Sequence, residues 1–166
     1  LLSQVANGGT RYQPYVVSRV DNPDGTPAEI FGPKNLGVLP VPKNIMDLIR
    51  EGLRDVTSEG GTAGELFKGF PVAVAGKTGT AENAHGRDHG WFVAYAPYDK
   101  PQIVVVALVE QGGFGAGSAG PIVRDILSAY FKVPTSSSKT TDTKTIDTKT
   151  TTNKKETQEI KPSVKE

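Results

Sequence analysis

The sequence contains no cysteine and only two histidines, and no run of about 18 consecutive apolar residues occurs in it. Without cysteine, the chain can have no catalytic thiol, no disulfide framework and no cysteine-ligated metal. Because no long apolar run is present, we expect neither a membrane-spanning helix nor a signal peptide in these residues. The 19 lysines and arginines are nearly balanced by 18 acidic residues and form no cluster. We therefore expect no nucleic-acid partner, since that would need a basic face.

The composition divides the chain near residue 134. From there to Glu166 it consists mainly of Thr, Ser, Lys and Glu, with near-repeats at residues 141–145 and 146–150. Such a segment cannot bury enough apolar surface to offset the chain entropy lost on folding. We predict one domain over residues 1–133, which is long enough for a modest core, and a disordered Thr/Lys-rich tail over residues 134–166.

The first nine residues resemble the end of a helix rather than its beginning. Apolar and small residues at positions 1–6 are followed by Asn7 and by glycines at 8 and 9, which commonly stop helices. A natural N-terminus rarely starts inside a helix. We therefore expect the chain to be a piece of a longer protein.

Residues 15–41 carry the signals of a hairpin and a connector. Residues 15–20 have the β-branched and aromatic content of a strand, residues 21–27 that of a turn, and residues 29–31 fit the returning arm. Residues 32–41 contain prolines and predict an extended connector.

The strongest helix signal covers residues 43–57, with Pro42 suited to the first helical position. Its apolar residues recur at helical spacing and form one stripe, which we interpret as core rather than as a partner-binding face. The stripe consists of Ile45, Leu48, Ile49, Leu53 and Val56.

The second half of the domain predicts an antiparallel sheet with a helix packed across it. Residues 72–81, 91–96 and 103–109 have strand composition, and residues 121–132 have a helical apolar pattern. The glycine-rich residues 112–120 between the last strand and this helix predict a flexible loop. Three strands with short connections and flanking helices indicate an α+β fold.

The segment most informative about function is Lys-Thr-Gly-Thr at residues 77–80. Lysine is seldom buried without a partner, and glycine in a strand commonly marks a close approach to the backbone. The strand period of two places Thr78 and Thr80 on one face and Lys77 and Gly79 on the other. Hydroxyl groups, a cation and an open backbone edge could together bind an anionic ligand that contains an amide.

A phosphate-binding loop also contains Gly-Lys-Thr, but its pattern requires a glycine where this chain has Pro71. It also requires a long helix starting at the lysine, and Gly79 and Gly86 would break such a helix. We therefore reject that interpretation.

The surroundings of the motif resemble class B penicillin-binding proteins. Lys-Thr-Gly is an element of penicillin-recognising enzymes. In class B members it is followed by a strand similar to Trp-Phe-Val-Ala-Tyr-Ala-Pro at residues 91–97. The last strand, the glycine-rich loop and the closing helix are similar too, as are Ala-Asn-Gly-Gly at residues 6–9 and Pro14. Over residues 1–133 the chain resembles the C-terminal part of the transpeptidase domain of an elongation-type enzyme.

The resemblance implies a partial penicillin-recognising serine transpeptidase fold, which is β-lactamase-like, and a peptidoglycan D,D-transpeptidase that also binds β-lactams. It implies that Lys77 and Thr80 act in catalysis, and that Lys77, Thr78, Gly79 and Thr80 bind substrate. Lys77 would supply positive charge for the substrate carboxylate. Thr80 would bind that carboxylate through its hydroxyl and donate its backbone N–H to the oxyanion. Gly79 would keep the strand edge open.

The resemblance also implies partners and a location. The ligands would be stem peptides ending in D-Ala-D-Ala, and β-lactams, with no cofactor and no metal. Cell-wall elongation proteins would be partners. The catalytic domain would lie outside the cytoplasm, anchored to the cell membrane through an N-terminal helix not present in this chain.

The nucleophile of the family is missing from the domain. Ser-x-x-Lys occurs only at residues 136–139, within the predicted tail, and Ser-x-Asn occurs nowhere. A mobile tail cannot preorganise nucleophilic attack. We therefore expect the serine, its base and the second oxyanion donor to lie upstream of Leu1, and the 166 residues alone to be inactive.

Three other interpretations share some of these features. A non-catalytic binding protein, either a sensor of β-lactams or cell-wall peptides or a degenerate transpeptidase relative, would keep the same Lys-Thr-Gly-Thr strand, and so would a serine β-lactamase. The long tail and the class B resemblance argue against a β-lactamase. His85 and His89, with Glu82 and Asp88, could form a metal site, but ordinary turn residues explain them better because no further histidine completes a ligand set.

Overall fold

A computed structural model describes residues 1–134 of the chain. From residue 135 onward, the predicted disordered tail lies outside the described residues. The Ser-x-x-Lys sequence at 136–139 lies outside them too. The helices are α1 (Leu2–Ala6), α2 (Lys43–Thr57), α3 (Gly64–Phe67) and α4 (Gly115–Phe131). The strands are β1 (Thr10–Tyr12), β2 (Arg19–Asp21), β3 (Pro27–Ile30), β4 (Asn35–Val38), β5 (Ala75–Ala81), β6 (His89–Ala96) and β7 (Ile103–Val109).

The centre of the fold is an antiparallel sheet in the order β5-β6-β7, as the α+β prediction requires. The register of β5 on β6 runs without interruption from Ala75 opposite Tyr95 to Ala81 opposite His89. β5 begins at Ala75, three residues later than predicted, and β6 begins at His89, two residues earlier. β7 coincides with the predicted strand.

One face of the sheet packs on α4 and holds the larger core. Phe92, Val123 and Leu127 are fully buried there, together with small residues of β6 and α4. Only part of the predicted apolar side of this helix is core. Val123 and Leu127 are buried, whereas Ile122, Ile126 and Tyr130 are exposed. Helix α4 itself starts at Gly115, six residues before the predicted start, so the predicted flexible loop over 112–120 is wrong from residue 115 onward.

The opposite face of the sheet packs on α1 and α2. Ala6, Ala75 and Tyr95 are buried there, against Leu2 and Leu53. Burial raises the pKa of the Tyr95 hydroxyl, and a hydrogen bond donated by Arg50 at 3.4 Å opposes that rise. The glycines after α1 stop the helix as predicted, since Gly8 and Gly9 have φ of 79° and 110°, values that favour glycine.

Helix α2 has the predicted bounds, with Pro42 as its N-cap rather than its first residue. The prediction that its apolar stripe is core is wrong for the first three members. Ile45, Leu48 and Ile49 are 42%, 63% and 42% exposed, whereas Met46 is buried. The partly buried members of the stripe, Leu53 and Val56, lie in the second half of the helix and pack against the two core clusters.

The region between α1 and α2 contains two small antiparallel pairs. The predicted hairpin exists, but its first strand is β2, paired with β3, and residues 15–18 do not belong to it. Within the predicted connector, β4 pairs with β1, a pairing that the sequence did not indicate. All residues of β2, β3 and β4 are exposed, so these pairs contribute little to the core.

The end of α2 is tied to the start of the central sheet through Thr57. This side chain is buried, and its Oγ1 hydrogen-bonds to the Val74 carbonyl, which also accepts from Arg54 Nη1 at 3.0 Å. Arg54 Nη1 in turn donates to Thr57 Oγ1 at 3.1 Å. These hydrogen bonds fix the position of Val74, the residue immediately before β5.

We expect Thr57→Val to lower the free energy of unfolding by about 1–3 kcal/mol. Valine has the shape of threonine but no hydroxyl group, so the Val74 carbonyl and Arg54 Nη1 each lose a hydrogen bond. Urea denaturation measures this change. The control Thr57→Ser keeps the hydroxyl and should cost less. A valine variant more stable than the serine variant would contradict the role assigned to the hydroxyl.

Candidate functional site

Strand β5, which carries Lys-Thr-Gly-Thr, is an edge of the central sheet. Among the described residues it pairs only with β6, so its other edge has no strand partner. The first two residues of the strand, Ala75 and Gly76, are buried. Of the next four, Thr78 and Gly79 are half-buried, and Lys77 and Thr80 are exposed. The four predicted site residues are therefore consecutive along a strand with one edge accessible to a ligand.

The four residues alternate between the two faces of the sheet, as the strand period predicts. Thr78 lies opposite Phe92 and Thr80 opposite Gly90, on the face that α4 covers. Lys77 lies opposite Val93 and Gly79 opposite Trp91, on the face of α1 and α2. A ligand along the edge could thus meet hydroxyl groups from one face and a cation from the other.

Lys77 is available to an anionic ligand. Its Nζ donates to the Thr78 carbonyl at 2.8 Å, and in the part of the chain that the structure describes it forms no salt bridge. Its side chain borders an apolar groove of about 470 Å³ on the face of α1 and α2. The other lining residues are Leu1, Leu2, Val5, Ile49, Leu53, Val93 and Val106.

Two glycines let β5 lie close to β6. A Cβ atom at Gly76 would lie 2.7 Å from the Val93 carbonyl oxygen, so a side chain there would force the strands apart. A Cβ at Gly79 would lie 3.2 Å from the Cβ of Trp91, a tight contact. Glycine at position 79 therefore has a packing reason in this chain, in addition to the open edge that the resemblance implies.

The N-terminus of α4 packs directly against β5 and β6. A Cβ at Gly115 would overlap the carbonyl oxygens of Trp91 and Gly79. Gly90, the partner of Thr80, is covered by the Gly113 carbonyl, the Cα of Gly115 and the Oγ of Ser118. The glycine-rich segment that precedes α4 therefore borders the site strand beside Thr80.

The two histidines near the turn between β5 and β6 form hydrogen bonds that stabilise the local structure. His89 accepts a hydrogen bond on Nδ1 from the backbone N–H of Gln111 at 3.0 Å, which joins the start of β6 to the end of β7. The backbone N–H of His85 donates to the Asn83 side chain at 3.0 Å. Across residues 1–134, no group of three or more histidine and acidic residues is positioned to hold a metal ion.

Phe92 is fully buried and Trp91 is 38% exposed, because neighbours in a strand lie on opposite faces of the sheet. The sequence analysis did not predict that Gly115 and its neighbours form the start of α4.

The buried positions 115, 119, 123 and 127 of α4 recur every four residues, so the sequence did contain a helical signal there. The glycines concealed it, because glycine is a poor helix former.

The described part of the chain contains no helix that is both long enough and apolar enough to cross a membrane.

Comparison with known proteins gives consistent similarities. Residues 1–128 match the family described as penicillin binding protein transpeptidase domain. The peptidoglycan D,D-transpeptidase PbpA of Mycolicibacterium smegmatis is 33% identical over 139 residues, which are 75% of this chain and 26% of that protein. The peptidoglycan D,D-transpeptidase MrdA of Haemophilus influenzae is 37% identical over 90 residues, 45% of this chain and 14% of that protein.

Solved structures give the same result. Penicillin-binding protein A from M. tuberculosis, in its imipenem acyl-enzyme complex, has a TM-score of 0.66 and 30% identity over 78% of this chain and 28% of that chain. The D,D-transpeptidase domain of a peptidoglycan glycosyltransferase from Eggerthella lenta has a TM-score of 0.66 and 33% identity over 79% and 30%. The chain thus spans between about a seventh and a third of the proteins it matches.

Proposed function

The chain belongs to the penicillin-binding protein transpeptidase family, and from that premise we propose that β5 is the substrate-binding strand of a serine D,D-transpeptidase. The complete protein would cross-link peptidoglycan. A serine oxygen would bond to the penultimate D-Ala carbonyl carbon of a stem peptide, and the amide bond to the terminal D-Ala would break. An amine of a neighbouring strand would then take the acyl group and release the serine. β-Lactams would acylate the same serine.

The observation that carries the proposal is the edge position of Lys77, Thr78 and Thr80. Their cation and hydroxyl groups flank a strand edge that has no partner among the described residues. A peptide that ends in a carboxylate can bind along such an edge in an extended conformation, as in β-strand addition. The names of the relatives, peptidoglycan D,D-transpeptidases and acyl-enzyme complexes of β-lactams, support this class of ligand.

Each residue of the motif has a proposed role. Lys77 and the Thr80 hydroxyl bind the terminal carboxylate of the substrate, and Thr78 adds a second hydroxyl. The backbone N–H of Thr80 is one of two donors to the oxyanion; loss of one such donor typically costs about 2.7–4 kcal/mol of barrier. Gly79 leaves the strand edge unobstructed.

The serine, its base and the second oxyanion donor are proposed to lie in another part of the protein, and the 166 residues alone are proposed to be inactive. The apolar surface beside Lys77 supports this. Ile49 on α2 and Val106 on β7 are exposed and line the groove that Lys77 borders. Exposed apolar surface of this kind is typical of an interface. The proposed occupant is the remainder of the transpeptidase domain, since the chain spans only 28% of a matching structure.

The location and the protein partners follow from the same family. We propose that the catalytic domain lies outside the cytoplasm at the cell membrane, and that the protein works with other proteins of cell-wall elongation. The similarity to MrdA and PbpA transpeptidases supports the link to cell-wall synthesis. Residues 1–133 would be the C-terminal part of the transpeptidase domain.

The test is acylation of the complete protein by benzylpenicillin, followed by mass spectrometry. We expect a stable adduct of one penicillin per protein, on a serine outside these 166 residues, and no adduct on the 166-residue chain alone. Rapid release of hydrolysed penicillin would instead indicate a β-lactamase. A stable adduct without cross-linking of stem peptides would indicate a sensor, and no adduct at all would contradict the proposal.

A further inference from the structure

Two hydrogen bonds attach the segment between β7 and α4 to the start of β6. The backbone N–H of Gln111 donates to His89 Nδ1 at 3.0 Å, and the backbone N–H of Gly113 donates to the Asp88 carbonyl at 2.8 Å. The second bond joins two main-chain groups, but the first requires a side chain that accepts. The position of segment 111–113 therefore depends on the identity of residue 89.

The backbone conformation of Gln111 needs such an attachment. Its φ is 54°, in the left-handed region that residues other than glycine rarely adopt. A residue persists in this region only where the surrounding structure keeps it there. The hydrogen bond to His89 is one such contact. Without that bond, Gln111 is expected to relax toward negative φ and to displace the two glycines that follow it.

Segment 111–113 lies beside Thr80. Gly90 is the cross-strand partner of Thr80, and a Cβ atom at Gly90 would lie 2.9 Å from the Gly113 carbonyl oxygen. The chain then enters α4 at Gly115, whose Cα packs against the Gly79 carbonyl. A displacement of segment 111–113 would therefore change the packing next to the residue that is proposed to bind the ligand carboxylate.

The hydrogen bond from Gln111 also defines the protonation state of the His89 ring. A backbone N–H can only donate, so Nδ1 carries no proton while the bond exists, and the ring is neutral. When both ring nitrogens are protonated, both are donors and the bond is lost. Histidine is the side chain that ordinarily changes its charge between about pH 5 and about pH 8.

The charged residues next to His89 in sequence or in strand register are Arg87 and Asp88 in its own turn, Glu82 after β5 and Glu110 after β7. Helix α1 and residues 111–120 contain no charged side chain. Within residues 1–134, none of the charged groups forms a salt bridge with the ring. Loss of the hydrogen bond is therefore the direct consequence of protonation.

We propose that His89 is a positioning residue for acylation, whose neutral ring keeps segment 111–113 in place beside Thr80 and whose protonation releases it. The inference rests on the proposed function, in which Thr80 binds the ligand carboxylate. His89 acts through the segment and not on the ligand. One hydrogen bond shifts the balance between the attached and the released segment by no more than its own free energy, which corresponds to about fivefold in rate.

The test measures the rate constant for acylation of the complete protein by benzylpenicillin, between about pH 5 and about pH 8. The unmodified protein is compared with His89→Asn and His89→Leu. The asparagine Oδ1 can take the place of Nδ1 and accepts a hydrogen bond throughout this range, whereas leucine accepts none. At the upper end of the range, His89→Asn should retain the rate of the unmodified protein and His89→Leu should be about fivefold slower.

At the lower end of the range, the unmodified protein should be acylated about fivefold more slowly than His89→Asn. The ratio of these two rate constants cancels the titration of all other groups, because both proteins contain them. His85→Asn is the matched control, since it makes the same change in the same turn at a residue whose recorded hydrogen bond comes from its backbone N–H. This variant should keep the pH dependence of the unmodified protein.

A ratio that stays constant over the pH range would overturn the inference, and so would equal rate constants for His89→Leu and His89→Asn. Either result, obtained with proteins that penicillin acylates, would leave the proposed function intact. Urea denaturation shows whether His89→Leu is folded, and the pH-dependent ratio decides if it is not. An unmodified protein that penicillin does not acylate at any pH would overturn the proposed function, and the inference with it.

Discussion

Replacing Lys77 by glutamine is expected to slow acylation of the complete protein by benzylpenicillin about 100-fold while leaving its free energy of unfolding unchanged. The reason for the first effect is the loss of a charge-assisted hydrogen bond to the ligand carboxylate, worth about 1.5–3 kcal/mol. The reason for the second is that Lys77 is exposed and that, in the part of the chain that the structure describes, its Nζ hydrogen-bonds only to the Thr78 carbonyl. Stopped-flow acylation kinetics measure the rate, and urea denaturation measures stability.

The same substitution at Lys100 provides the control. Lys100 is exposed in the turn between β6 and β7, at the other end of the sheet from Thr80. Lys100→Gln removes the same charge from the protein and should leave the acylation rate unchanged. Equal rates for the two variants would mean that net charge, not the position of Lys77, governs acylation, and would contradict the role of Lys77.

Replacing Gly115 by alanine is expected to lower the free energy of unfolding by about 3 kcal/mol. The added Cβ would overlap two backbone carbonyl oxygens, those of Trp91 and Gly79, and no rotamer change can relieve a contact made by a Cβ. Either α4 or β5 must move. We therefore also expect slower acylation, because β5 carries the site residues.

The matched control is Gly117→Ala, two residues further along the same helix. A Cβ at Gly117 meets no atom within 4 Å, so alanine should fit and stabilise the helix by up to about 1 kcal/mol. Thermal or urea unfolding distinguishes the two variants. If Gly115→Ala were as stable as Gly117→Ala, the close packing of α4 on the site strand would be disproved.

The strands and helix that depend on local pattern could be predicted from the sequence. The bounds of β7 and α2 agree with the prediction at both ends, because each has an uninterrupted apolar pattern between clear breakers. The alternation of Lys77 and Thr78 between the faces of the sheet follows from strand geometry alone. The family followed from the motif together with its neighbouring strand.

The environment of α2 could not be predicted in the same way. Its apolar stripe predicts a buried helix face, but a stripe does not specify which part of the protein covers it. In this chain the sheet covers Leu53 and Val56 in part, while Ile45, Leu48 and Ile49 remain exposed. Exposure depends on tertiary contacts, and the sequence pattern is the same whether those contacts come from this chain or from another segment.

The start of α4 was missed for a different physical reason. Glycines at 115, 117 and 120 lower intrinsic helix propensity, and Pro121 suggested a first helical position. In the structure Pro121 lies inside the helix, and Gly115 and Gly120 are buried where the backbone approaches β5 and Leu66. Close packing of the buried glycines therefore overrides helix propensity at the start of α4.

The central claim is that β5 binds the carboxylate of the ligand, and a crystal structure of the complete protein acylated by benzylpenicillin tests it most directly. The account predicts the penicillin carboxylate within about 3 Å of the Thr80 Oγ1, with Lys77 Nζ turned toward the bound ligand and away from the Thr78 carbonyl. A penicillin bonded to its serine with the carboxylate directed away from β5, and no ligand atom near Thr80, would contradict the account.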